Sequence, residues 1–149
     1  MPEATGTILA FDFGLKRIGV AIGTRLGTGP LAAARPLATI FAAANDRRFS
    51  AIAALLAEWQ PQRLVVGRPL NDDGSPHEMT ARSERFASQL RGRFGLQVDE
   101  VDERFSSVAA DAELRERGLG WKQRKAQLDA EAALIILHDW SSTHARDAA

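Results

Sequence analysis

The sequence predicts an α/β domain built on a mixed five-stranded sheet, an antiparallel meander joined to parallel strands, with helices on its faces. Three observations carry this. Residues 7–11 and 17–22 are short apolar runs with β-branched residues, separated by Gly14 and the basic pair Lys16-Arg17, which reads as a hairpin. Further along, helix-like segments alternate with strand-like ones, the pattern that feeds parallel strands. At 149 residues the chain is long enough for a single domain, 1–149, with a core of its own.

The elements follow in order. A third strand near 36–41 completes the meander. Asn45 or Asp46 then caps a helix whose apolar positions Phe49, Ile52, Ala53, Leu56 and Trp59 share a face until Pro61 stops it. RLVVG at 63–67 is a buried-type strand, and RPLNDDGSP after it is turn chemistry. Met79, Phe86, Ala87, Leu90 and Phe94 mark a second helix ended by Gly95, and 97–103 is a further strand. SSVAADAELRERG has a serine cap and a glycine stop, the ends of a third helix. Residues 118–124 read as a mobile loop, 125–140 as the final helix and 141–149 as a flexible tail.

Composition narrows the function classes. Hydrophobic residues make up 45% and charged residues 26%, as in an ordinary globular protein. With no cysteine, thiolate chemistry, disulfides and cysteine-held zinc are excluded. The formal net charge of zero argues against a polybasic mode of binding, though it allows a basic surface opposite an acidic site. MPEATG carries no basic leader, and Arg35 and Pro36 interrupt the apolar stretch 31–44, so no secretion signal or spanning helix is read; the expectation is a cytoplasmic protein, monomer or homodimer, with no membrane partner.

The chemistry centres on acids in apolar settings. Asp12 ends the run ILAFD, where an ionised group needs a partner, hydrogen bonds or a metal. Glu103 closes QVDEVDE, and Asp129 opens LDAEAALIIL, where Asp129, Ala132, Ala133 and Ile136 share a helix face. Each has a plainer reading: Asp12 as a turn residue, Asp129 as an N-cap, Glu103 as a surface strand end. Together they suggest a metal site, since carboxylates ~4 Å apart repel by about 4 kcal/mol at an effective dielectric near 20, and a cation removes that cost. All-oxygen ligands favour Mg²⁺ or Mn²⁺.

Candidate nucleic-acid contacts surround these acids. Lys16 and Arg17 suit phosphates, with a solvated hairpin tip as the alternative; Arg68 and Asn71 border the turn after the buried strand, and Arg104 follows Glu103. Trp121 lies among Lys122, Arg124 and Lys125, a combination suited to phosphate attraction plus base stacking, or to anchoring a loop on the core. Asp72 and Asp73 in Asn-Asp-Asp-Gly read as turn formers.

DFGLKRIGVA at 12–21, VVGRPLNDDGS at 65–75, VDERFSS at 101–107 and LDAEAALIIL at 128–137 together resemble the YqgF/RuvX family over nearly the whole chain. The resemblance implies an RNase H-like fold related to the RuvC Holliday junction resolvases and a nuclease of pre-16S rRNA maturation. It also implies that Asp12, Glu103 and Asp129 are the catalytic, metal-holding acids, with two ions about 3.5 to 4 Å apart acting on one phosphodiester. The chain departs from the family pattern at Gly23-Thr24, at Ser107 and at Ala132, where RuvC-like enzymes carry a further acid; Asp102 is a helper or a mere neighbour. Precursor rRNA, with ribosomal particles as associated partners, is the expected substrate. Branched DNA and a non-catalytic assembly role are the alternatives. DFGLKRIGVAIG also resembles the phosphate loop of sugar kinases, but those use two domains, and Leu15-Lys16 replaces their small hydroxyl residue.

Overall fold

The computed structural model describes the backbone of residues 5–26, 29–71, 73–103 and 121–147, and the side chains of 6–25, 29–71, 73–103 and 128–142. Strands β1 (Thr5–Phe13), β2 (Arg17–Leu26) and β3 (Leu31–Phe41) form the expected meander. Helix α1 (Asn45–Trp59), β4 (Arg63–Pro69), α2 (Thr80–Phe94) and β5 (Gln97–Glu103) follow, and α3 (Trp121–Asp147) closes the chain. The sheet order is β3-β2-β1-β4-β5, with β4 parallel to both β1 and β5.

Side-chain alternation on β1 divides the core in two. Leu9 and Phe11 face α1 and α2, where Phe49, Ile52, Phe86 and Leu90 meet them. Ile8 and Ala10 face α3 and meet Ala133, Ile136, Leu137 and Trp140. Because helices cover both faces, the strand is apolar at nearly every position, which is why its sequence reads as a run. The α3 side of β1 and β2 is lined by small residues, Ala10, Gly19 and Ala21, so that helix lies close to the sheet.

Several boundaries differ from expectation. β3 begins at Leu31 instead of 36 because it is the edge strand, where Pro36 loses no ladder partner and two irregularities opposite Val20/Ala21 and Ile22/Thr24 absorb misfit; Ala33 sits there at φ 52°. α1 is capped by Ala44 with no side-chain bond, while Asp46 in its first turn accepts from the Arg47 N–H at 3.0 Å. α2 ends as read, with Gly95 at φ 65° returning its N–H to the Arg91 carbonyl.

The largest correction concerns α3. Trp121–Arg124 open the helix instead of lying in a loop, and the expected tail from 141 is helical to Asp147. No glycine or proline interrupts 121–147, and Trp140 and Ser141 are buried, so the helix is held to the sheet past the expected stop. The Trp140 indole lies between the Arg25 and Arg63 guanidinium groups, 4.9 and 5.7 Å from its ring centroid, and donates to Asp99 at 2.8 Å. The helix expected over SSVAADAELRERG lies outside the described residues. Among the described residues, no helix is long and apolar enough to cross a membrane.

Candidate active site

The three expected acids lie on one face of the sheet, the face covered by α3. Asp12 is paired with Gly19 on β2. A Cβ at Gly19 would overlap the Asp129 carbonyl, so a glycine there lets α3 bring Asp129 down beside Asp12. On the next strand a Cβ at Gly67 would overlap the Ile136 side chain and touch Glu103. Small residues at alternate strand positions thus open the space the acids share. Asp129 lies within the helix, so the N-cap reading is set aside.

The electrostatics show the acids acting on one another. Burial, reinforced by the neighbouring Asp129 charge, pushes the Asp12 carboxyl up to about 7. Glu103 is pushed up to about 9, first by burial, then by a hydrogen bond and charge from Asp139, with Asp12 and Asp102 adding to it. Two carboxylates that share a hydrogen bond must hold a proton between them. Asp139 is therefore a fourth acid of the site, which sequence reasoning missed. Its signal was a lone acid in the apolar run ALIILHDW, one turn past Ile136.

The expected nucleic-acid residues divide. Arg17 is turned onto Asp129, Nε to Oδ2 at 2.9 Å, and is half-buried there. Lys16 stays exposed at the hairpin tip. Arg68 is occupied on the opposite sheet face by Glu84 at 2.7 Å and Asp102 at 2.8 Å, which makes Asp102 its partner. Asn71 closes the turn, its amide donating to Ser75 Oγ and the Pro76 carbonyl, while Asp73 accepts from the Ser75 N–H at 2.9 Å as turn chemistry requires. The side chains of Arg104, Trp121, Lys122, Arg124 and Lys125 lie outside the described residues, as does Asp72.

A buried cation that the sequence did not flag supports the hairpin tip. Arg48 of α1 donates to the carbonyls of Leu15, Ala42 and Ala43 and to Asn45 Oδ1, and lies over the Phe13 ring at 5.0 Å. It ties the turn after Asp12 to the loop after β3. In the sequence it is one of two adjacent arginines on a helix, with nothing to mark it as buried.

For a metal, the donor set is the test. Among the described residues no three histidine, cysteine or acidic side chains lie within reach of a single ion. Hard cations such as Mg²⁺ are commonly held by one or two carboxylates, with water and substrate phosphate completing the shell. Asp12 and Asp129, with Glu103 nearby, fit that mode: an oxygen-only set in which burial first, and neighbouring acids second, raise the carboxyl pKa of Asp12 and Glu103.

A mixed β3-β2-β1-β4-β5 sheet flanked by helices, with acids brought together on the face covered by the final helix, has the RNase H-like fold. Two solved resolvases share the fold: Thermus thermophilus RuvC, with TM-score 0.52, 15% identity and 93% of this chain and 95% of that one covered, and the Fowlpox virus resolvase bound to Holliday junction DNA, with TM-score 0.53, 11% identity and coverage of 92% and 97%. Within that class the chain belongs to the RuvX family, whose sequence model, described as "Holliday junction resolvase", matches residues 6–142. Relatives from Dechloromonas aromatica and Burkholderia cenocepacia are each 53% identical, over 91% and 90% of this chain and 90% and 87% of theirs; both are named "Putative pre-16S rRNA nuclease".

Proposed function

We propose that this chain is an endonuclease that hydrolyses phosphodiester bonds in precursor 16S rRNA, with Asp12, Glu103 and Asp129 as its catalytic acids. One observation carries the reading. A half-buried carboxyl, Asp12, is set beside a second acid, Asp129, by a glycine whose replacement would push the two apart. A core gains nothing from that arrangement unless a cation or a proton is to be held there. The names of the close relatives supply the substrate class.

Asp12, Glu103 and Asp129 would hold Mg²⁺ or Mn²⁺ as two ions shared among them; bound there, the metal would supply Lewis acidity at the attacked phosphorus and neutralise the carboxylates. The chain's own groups do the rest. Arg17 fixes the Asp129 carboxylate, and Arg48 fixes the backbone of the hairpin tip. Lys16, exposed at the hairpin tip four residues after Asp12, attracts the substrate phosphate. Water adds to phosphorus, the bond to the leaving oxygen breaks, and the proton passes to that oxygen or to solvent. Work on precursor rRNA belongs to the cytoplasm, where we place it.

Branched DNA is the second reading, favoured by the family description and by the junction-bound fold relative. Cleavage of labelled precursor rRNA and a four-way DNA junction, side by side with Mg²⁺, Mn²⁺ or EDTA, separates the two. Metal-dependent cutting of the RNA with the junction left intact is expected. Junction cutting alone transfers the assignment to DNA.

A further inference from the structure

The face that carries the acids continues across β2 to the sheet edge. Arg17, which holds Asp129, is the direct cross-strand partner of Phe41, the last residue of β3. Directly opposed residues in an antiparallel pair project from the same face, with Cβ atoms about 4.5–5.5 Å apart. Phe41 thus lies on the active-site face, two strands or roughly 10 Å from the strand of Asp12.

Phe41 is 67% exposed and Leu15 48%; among the described residues these are the exposed large hydrophobic side chains, and both adjoin Lys16. Leu15 precedes Lys16 in the chain, and the Ala42 N–H next to Phe41 donates to the Lys16 carbonyl at 3.1 Å. A single exposed aromatic is ordinary on a protein surface. This one ends a row that runs from an aromatic ring through a cation to the acids, which is the composition of a groove for single-stranded nucleic acid: rings to stack bases and cations to follow the backbone.

We infer that Phe41 is a stacking platform for an unpaired base beside the scissile phosphate, with Lys16 against the adjoining phosphate. The inference rests on the nuclease reading above and names how that site holds its substrate. An apolar peptide is disfavoured as occupant because each apolar side chain has a cation as its neighbour, Lys16 after Leu15 in the chain and Arg17 opposite Phe41 in the ladder. The side chain is two-thirds exposed and lies outside both hydrophobic core clusters, so replacing it leaves the core packing in place.

The test uses the full chain with Asp12→Asn, which leaves RNA uncut, and single-stranded precursor rRNA fragments carrying 2-aminopurine at successive positions around the cleavage site. Fluorescence quenching is expected at one or two adjacent positions with Phe41 and with Phe41→Trp, and its loss with Phe41→Ala. RNA binding should weaken about tenfold in Phe41→Ala, within the range for one stacked base, and recover in Phe41→Trp. In the Asp12-containing enzyme, Phe41→Ala should raise KM with little change in kcat. Equal binding and quenching by Phe41→Ala, in a chain whose parent cuts the RNA, overturns the stacking role and leaves the nuclease reading standing. A parent that neither binds nor cuts RNA overturns both.

Discussion

Arg17 and Asp129 form an ion pair at 2.9 Å that links the start of β2 to the final helix, at the point where the acid is needed. The pair is in competition with any cation, since an oxygen of Asp129 engaged by a guanidinium is less available as a ligand. Arg17→Gln should therefore tighten Mn²⁺ binding, by about fivefold if the half-exposed pair is worth roughly 1 kcal/mol. Calorimetric titration of the full chain reads this directly, and weaker binding in the variant would mean that Arg17 prepares Asp129 for the metal instead of competing for it.

The Asp12 carboxyl, held at about 7 against an ordinary 3.8, makes metal-free stability depend on pH. A raised carboxyl binds its proton more tightly in the folded state, so its stabilisation is complete below about pH 4 and is lost as pH rises through 7. Between pH 5 and 8, urea unfolding in EDTA should show a loss of about 3 kcal/mol that is absent in Asp12→Asn. Glu103, at about 9, extends the decline to higher pH. Parallel curves for the two proteins would contradict the burial of Asp12.

Gly19 is where α3 meets the sheet, and a methyl group there collides with the Asp129 carbonyl and the Ala130 nitrogen, both backbone atoms. Gly19→Ala should cost about 1–3 kcal/mol and more, and displace Asp129. Gly67→Ala meets the tip of the Ile136 side chain, which can turn aside, so it should cost less. Thermal unfolding of the two variants gives the order, and metal affinity should fall only for Gly19→Ala.

Arg48 holds the hairpin tip from beneath. Arg48→Ala leaves the Leu15, Ala42 and Ala43 carbonyls without this donor and should destabilise by about 2–3 kcal/mol. Turnover should fall further than the folded fraction does, because Lys16 and Arg17 lose their support. Activity that merely tracks the folded fraction would make Arg48 a structural residue only.

The architecture was legible where local pattern and burial agree. β1, β2, β4, α1 and α2 follow the apolar periodicity because each buries at least one continuous face, whereas the acids of β5 break its alternation and only its context marked it as a strand. β3 read short because an edge strand tolerates Pro36, and α3 read short toward its C-terminus because that part is held to the sheet by tertiary contacts, Trp140 with Arg25 and Arg63, that no local signal announces. At the site, Asp12 stood out as an acid in an apolar strand. Asp139 did not, since its meaning depends on Glu103 arriving from 36 positions earlier in the chain. Arg68 and Asn71 looked like free surface groups, yet partners from distant segments or the turn itself occupy them.

The central claim is that Asp12 and its neighbouring acids cut RNA. The most direct measurement compares cleavage of labelled precursor 16S rRNA by the parent chain and by Asp12→Asn, in Mn²⁺ and in EDTA, with folding of both proteins verified by circular dichroism. Metal-dependent cutting by the parent is expected, with a loss of at least about a hundredfold in a folded Asp12→Asn, the order seen when a group is removed that stabilises charge developing in the transition state. Undiminished cutting by folded Asp12→Asn would contradict that claim.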